Sequence, residues 1–393
     1  MKKKFFVCSV IFIALFSSCN NGNKVINEDS NKYESKYESK CKLIEFKKKE
    51  FKIDDQTSYM TEYIQYIDKD SIDYLAFVNT NNNSVYFYKY SNSSFFKKIT
   101  FEKEGNNGVN AIQAFLDVNR DSLFVYSYNT QILNLFDSNL NVIKRYKLYE
   151  DSESEKSDII PPSPYMQTAT PIRKIGDKII CMGFVAGEPS RETNTNRPVC
   201  IVYDLKKDKR ESKINYPIQY SKYNWTGGFT YRMPYYDVVN RDLIVSFAAS
   251  HNLIRYNIDT GKSEEFYARS SSIKEISSYP QSKGSQISRD DSWRWYMTNA
   301  SYENIIYDKY RKVYYRIARL PKKDFNSTDR GNKKPIVIII LDSNLKYIGE
   351  TTLPSNENWF SCNSFVSREG LNIQVLTDNE DVISFKTFKI EKL

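Results

Sequence analysis

Histidine is nearly missing from this sequence. One imidazole, His251, occurs in 393 residues, which excludes any metal centre built from several of them. A Ser-His-Asp triad would have to use it, yet no Gly-x-Ser-x-Gly elbow exists to present a serine. His251 lies between two expected strands and reads as a turn residue. Cysteine is also sparse, six in all, and no two are spaced Cys-x-x-Cys, so zinc lacks its ligand pattern. No cofactor motif is present. Past the N-terminus no apolar run is long enough to cross a bilayer; Ile336 to Leu341 has the length of one buried strand. Basic residues exceed acidic ones, 57 to 48, but the lysines are dispersed. A diffuse excess of this kind acts on solubility and gives no nucleic-acid signature.

The N-terminus is MKKKFFVCSVIFIALFSSC. Lys2, Lys3 and Lys4 precede an apolar run from Phe5 to Phe16, then Ser17, Ser18 and Cys19. The run is too short to span a hydrocarbon core of about 30 Å. Charge, apolar run and small residues in that order mark a secretory signal. A cysteine directly after them resembles a lipobox, with Phe16 where leucine is common. The expectation is cleavage before Cys19 and lipid on its thiol. Loss of three lysines with the leader lowers the formal charge from +9 to +6. Residues 19–42 are polar and hold a tandem YESKYESK, so they read as a flexible, lipid-anchored tether. The expected location is the cell envelope at the outer membrane. The absence of an acidic run at 20–24 points to the periplasmic side over the surface.

Residues 43–393 read as a single all-β domain. They are rich in tyrosine (31) and phenylalanine (23), which suit pleated, half-buried surfaces. Strand-length segments include Tyr74–Val78, Val85–Tyr90, Ile132–Phe136, Lys178–Phe184, Leu243–Phe247 and Ile336–Leu341, separated by Asn-, Asp- and Gly-containing turns. Two units recur. The first is an aspartate, a short polar turn with arginine and a strand: FLDVNRDSLFVYS from Phe115, YYDVVNRDLIVSF from Tyr235, IYDKYRKVYYRIA from Ile306. The second is a strand, a DSNL-type turn and another strand, as in NLFDSNLNVIKRYKL from Asn134 and IILDSNLKYIGETTL from Ile339. Repeated meanders of this size are propeller blades. Units fall near 63–105, 111–150, 165–217, 231–270, 302–355 and 360–391, and 43–58 can supply a strand that closes the ring. The expectation is a six-bladed β-propeller, with a large β-sandwich as the alternative.

The lipobox, KEGNNGV at 103–109, NRPVCIVYDL at 196–205, YRMPYYD at 231–237 and YDKYRKVYYRIA at 307–318 resemble a family of lipoproteins from gut-type anaerobes known as domain of unknown function 4221. The resemblance covers nearly the whole chain after the leader. It implies a six-bladed, TolB-like propeller and carries no activity with it.

Candidates for chemistry are few. DVNRD from Asp117 imitates the start of a calcium loop, but Ser122 and Tyr128 stand where glycine and glutamate are needed. Asp117 and its equivalents therefore read as turn formers. Of the cysteines outside the leader and Cys19, Cys41 with Cys362 or Cys181 with Cys200 could pair; free buried thiols are the other reading. The non-repeated aromatic and arginine residues Trp225, Tyr231, Arg232, Tyr235, Tyr236, Trp293, Arg294, Trp295 and Tyr296 fit either ligand recognition or packing. Trp293 to Tyr296 is expected in a loop at the channel mouth. The functional expectation is a non-enzymatic, monomeric binding or scaffold module presenting loops to a protein, peptide or glycan. A carbohydrate-active enzyme using a carboxylate pair is the alternative.

Overall fold

The computed structural model describes residues 37–69, 72–119, 121–149, 161–184, 197–225, 229–281, 287–323, 325 and 334–393, with the backbone of 25–26. The leader and Cys19 lie outside the described residues. β1 is Val25–Ile26 and β2 is Cys41–Lys52. β3 (Ile64–Lys69), β4 (Ile72–Asn79), β5 (Ser84–Lys89) and β6 (Ser94–Thr100) form one antiparallel meander. β7 (Ile112–Asn119), β8 (Ser122–Ser127), β9 (Ile132–Phe136) and β10 (Val142–Lys147) form the next. β11 (Ser163–Pro164), β12 (Arg173–Ile175), β13 (Lys178–Phe184), β14 (Pro198–Asp204) and β15 (Lys209–Asn215) make the third sheet. Two short helices, α1 (Gln219–Lys222) and α2 (Phe229–Arg232), lead into β16 (Pro234–Val239), β17 (Asp242–Phe247), β18 (Asn252–Asn257) and β19 (Ser263–Tyr267), the fourth. β20 (Ile276–Ser277) pairs with β1, and α3 (Arg289–Thr298) follows.

The remaining strands are β21 (Ser301–Asp308), β22 (Val313–Arg319), β23 (Ile336–Leu341), β24 (Tyr347–Thr352), β25 (Trp359–Ser367), β26 (Gly370–Val375) and β27 (Val382–Lys392). With β2 they form one continuous sheet in the order β21-β22-β23-β24-β2-β27-β26-β25. Within it β2 and β24 run parallel and share a single register pair, Cys41 with Gly349. A four-stranded antiparallel group lies on each side of that pair, so this sheet spans the last two units expected from the repeats. Gly349 is required there: a Cβ would sit 2.0 Å from the Cys41 carbonyl oxygen. β2 pairs antiparallel with β27 along its whole length, as expected for the closing strand. The fold is thus all-β with a propeller-like arrangement of sheets.

Burial follows position within each meander. Middle strands are covered on both faces by neighbouring sheets and read as continuous apolar runs, as in IVIIIL of β23, every residue buried. Outer strands are covered on neither face to the same extent; β6, SFFKKIT, is exposed at all but one position. The DSNL turns fold alike in both copies. Asp137 accepts from the amides of Asn139 and Asn141, and Asp342 from those of Asn344 and Lys346. Leu140 and Leu345 then take left-handed φ of 62° in each copy.

Two expectations need correction, and one open alternative is decided. The boundary at 42 falls inside β2, and the end of the expected tether is docked: the Tyr37 hydroxyl accepts from Arg269 (3.1 Å) and its ring meets Tyr347 edge-on. The four described cysteines are free. Cys181 faces Ile201 in register while Cys200 faces Met182, and the two thiols enter different cores on opposite faces of the sheet. Cys41 and Cys362 are separated by β27 and β26. Trp293 to Tyr296 belongs to α3 rather than a loop; Ser288 caps that helix by accepting from the Asp291 amide.

Candidate ligand-binding channel

The leading strands β3, β7, β12, β16, β21 and β25 surround a central channel of about 760 Å³. Its mouth is charged by residues near the ends of these strands. Asp68 is the penultimate residue of β3, Asp117 lies near the end of β7, and Asp237 sits within β16. Each carboxylate meets a cation from a different sheet. Lys69 approaches Asp117 at 2.5 Å, Arg173 approaches Asp237 at 3.0 Å, and Lys309 and Arg368 approach Asp68 at 2.7 and 2.5 Å. Asp237 also accepts from the Tyr307 amide at 2.9 Å. Tyr310 donates to Asp68 at 2.6 Å. Burial opposes the charge on Asp68, but hydrogen bonds from Lys309, Tyr310 and Arg368 hold its carboxyl well below the usual range.

Asp117 and Asp237 belong to the repeated unit, with Asp308 as its third copy; Asp68 does not. Asp308 behaves as a turn former, accepting from the amides of Tyr310 and Arg311. Asp117 and Asp237 do not: they point across sheets to Lys69 and Arg173, which corrects the turn reading. The sequence signal was the recurrence of aspartate in three of the leading strands, β7, β16 and β21. Its cationic partners sit in other units and carry no such mark.

The aromatic candidates are placed otherwise. Trp225, Tyr231, Tyr235, Tyr236, Trp295 and Tyr296 are buried. Trp225 stacks on Tyr231 at 5.6 Å, and Tyr231 meets Trp295 at 4.8 Å. The Trp225 indole donates to the Gln219 carbonyl and the Tyr231 hydroxyl to that of Ala300. This group packs α1, α2 and α3 onto the body. Tyr236 alone of the nine lines the channel, its hydroxyl donating to the Pro171 and Ile180 carbonyls. Arg232 and Trp293 are half-buried, and Arg294 is exposed over the Phe325 ring.

At the opposite ends of the leading strands, polar groups are buried. Arg319 donates to Glu303 (3.0 Å) and Ser361 (2.7 Å), and Ser361 donates to Glu303 (2.6 Å). Lys334 donates to the carbonyls of Tyr296 and Asn299 at the end of α3. Burial first, and Arg319 second, lower its pKa to about 7. Thr168 donates to Asn363, which donates to the Thr61 carbonyl, so hydrogen bonds link separate sheets here. Among the described residues no group of three or more His, Cys, Asp or Glu is placed to hold a metal ion.

No curated protein matches the chain. A crystal structure of a DUF4221 family member from Bacteroides vulgatus superposes with a TM-score of 0.75 at 22% identity, covering 90% of this chain and 99% of that one. A putative exported protein from Bacteroides fragilis gives 0.51 at 11% identity, over 89% and 95%. These likenesses concern the fold. The family model described as domain of unknown function (DUF4221) matches residues 40–352, and the chain belongs to that family.

Proposed function

We propose that this protein is a lipid-anchored binding module whose channel mouth takes a short peptide segment. The carrying observation is the mouth itself: one opening sets Asp68, Asp117 and Asp237 among Lys69, Arg173, Lys174 and Lys309, with Tyr66, Tyr307 and Tyr310 in the walls. Both signs of charge in one opening suit a ligand that also carries both, as a peptide does. A glycan reading loses its tryptophan platforms, because Trp225 and Trp295 are spent on packing. The carbohydrate-active alternative needs a carboxyl held protonated. Asp68, at the mouth, is instead held ionised, well below its usual range, by Lys309, Tyr310 and Arg368.

Saturation-transfer NMR of the full chain with a pool of short unlabelled peptides tests this. Peptides are expected to saturate, and Lys174→Ala with Lys309→Ala to weaken them about tenfold, roughly 1.4 kcal/mol. A glycan pool that saturates while the peptide pool does not would overturn the reading. The anchor has its own test. Cys19→Ala is expected to move the protein from the membrane pellet to the soluble fraction; retention in the pellet would remove lipid on Cys19 from the account.

A further inference from the structure

We infer that the groove between β6 and β7 receives the carboxyl terminus of the peptide ligand: a free carboxylate beside a large apolar last side chain. The inference rests on the peptide reading above. The groove holds about 470 Å³ and opens directly off the channel, since Lys69, Asp117 and Val118 line both. Tyr74, Phe87 and Phe96 supply its aromatic walls.

Two features select the occupant. The first is apolar area left open. Phe96 is 45% exposed on the outer strand, touching Tyr74 at 5.0 Å between ring centroids. Covering such area gains about 25 cal/mol for each Å² removed from water. The second is uncompensated positive charge. Lys69 is neutralised by Asp117. Lys97, also lining the groove, stands 4.9 Å over the Phe87 ring, and Lys89 stands 5.8 Å over the Phe96 ring. Neither makes an ion pair with a described residue. Aromatic walls with a spare ammonium match one apolar side chain and one carboxylate. A peptide end offers both within a single residue, and the groove's continuity with the mouth lets the preceding residues lie in the channel.

The test compares one peptide ending in phenylalanine as its free acid and as its amide, titrated calorimetrically into the full chain, with octanoate as a third probe. The acid is expected to bind about tenfold tighter than the amide. Lys97→Ala, on an exposed strand, is expected to bring that ratio toward one while both peptides still bind. Equal affinity of acid and amide overturns the groove inference and leaves the channel reading standing. Octanoate binding without peptide binding overturns it in favour of a fatty anion. Failure of both peptides and of the whole pool removes the channel reading as well.

Discussion

Arg316→Met is expected to cost about 3–5 kcal/mol of folding stability, read as a lower urea midpoint by circular dichroism. Arg316 lies in β22 with none of its surface exposed. Its guanidinium donates to the carbonyls of His251 (2.6 Å), Ala268 (2.9 Å) and Ser250 (2.7 Å) and to the Ser246 hydroxyl (3.2 Å). It also stands 3.6 Å over the Tyr302 ring. One side chain therefore serves the turn between β17 and β18 and the end of β19. Methionine fills much of the volume but leaves three buried carbonyls without that donor, and a buried acceptor left unmade costs about 1–3 kcal/mol. Arg316→Lys should fall between the two, because an ammonium lacks the planar fork. An unchanged midpoint for the methionine variant would show that water or repacking replaces every one of these bonds.

His251 controls the second large effect, at acid pH. Its ring is buried, with Nδ1 at 2.7 Å from the Tyr302 hydroxyl and Tyr267 alongside. Burial first, then the positive charges of Arg316 and Arg269, lower its pKa from 6.5 to about 3; a backbone contact at Lys274 opposes them. The native state thus keeps the neutral imidazole where the unfolded chain would take a proton. Between pH 6.5 and about 3 the unfolded state binds more protons, so stability falls as pH falls through that window. The full displacement corresponds to on the order of 4–5 kcal/mol, and the part reached by pH 4 to roughly 3 kcal/mol. Urea midpoints at pH 7 and pH 4 should therefore separate widely for the wild type and less for His251→Gln. The same separation in both proteins would assign the acid loss to other groups.

His251 also shows where reading the sequence stops. Its place between two strands was legible. That it sits on a buried arginine from another repeat was not, because Arg316 is distant in the chain and is not the recurring arginine of the unit, which in that copy is Arg311. Middle strands such as β13 and β23 were legible to the residue, since cover on both faces writes an unbroken apolar run. Outer strands such as β6 were harder to see, since SFFKKIT is exposed at nearly every position and writes no apolar pattern. α3 was missed for a related reason. RDDSWRWYMT has no regular apolar stripe, and Trp295, Tyr296 and Met297 are buried by the segments around them rather than by one face of the helix. The channel was not legible: the recurring aspartates read as turn formers, and only the circular order of the sheets reveals which cation meets which.

The pairing of β2 with β27 also sets a schedule. Cys41 lies opposite Lys392, and Lys52 opposite Val382. The first long strand to leave a ribosome or a translocation pore therefore waits for nearly the last, and until then β2 is a lone edge with unpaired amides. Contacts so far apart in the chain are slow to form. The earlier meanders can each fold from local sequence as they emerge, but the ring stays open until the final strand arrives. The interval between emergence and closure is when the chain is most exposed to proteases and to pairing with other unfinished chains.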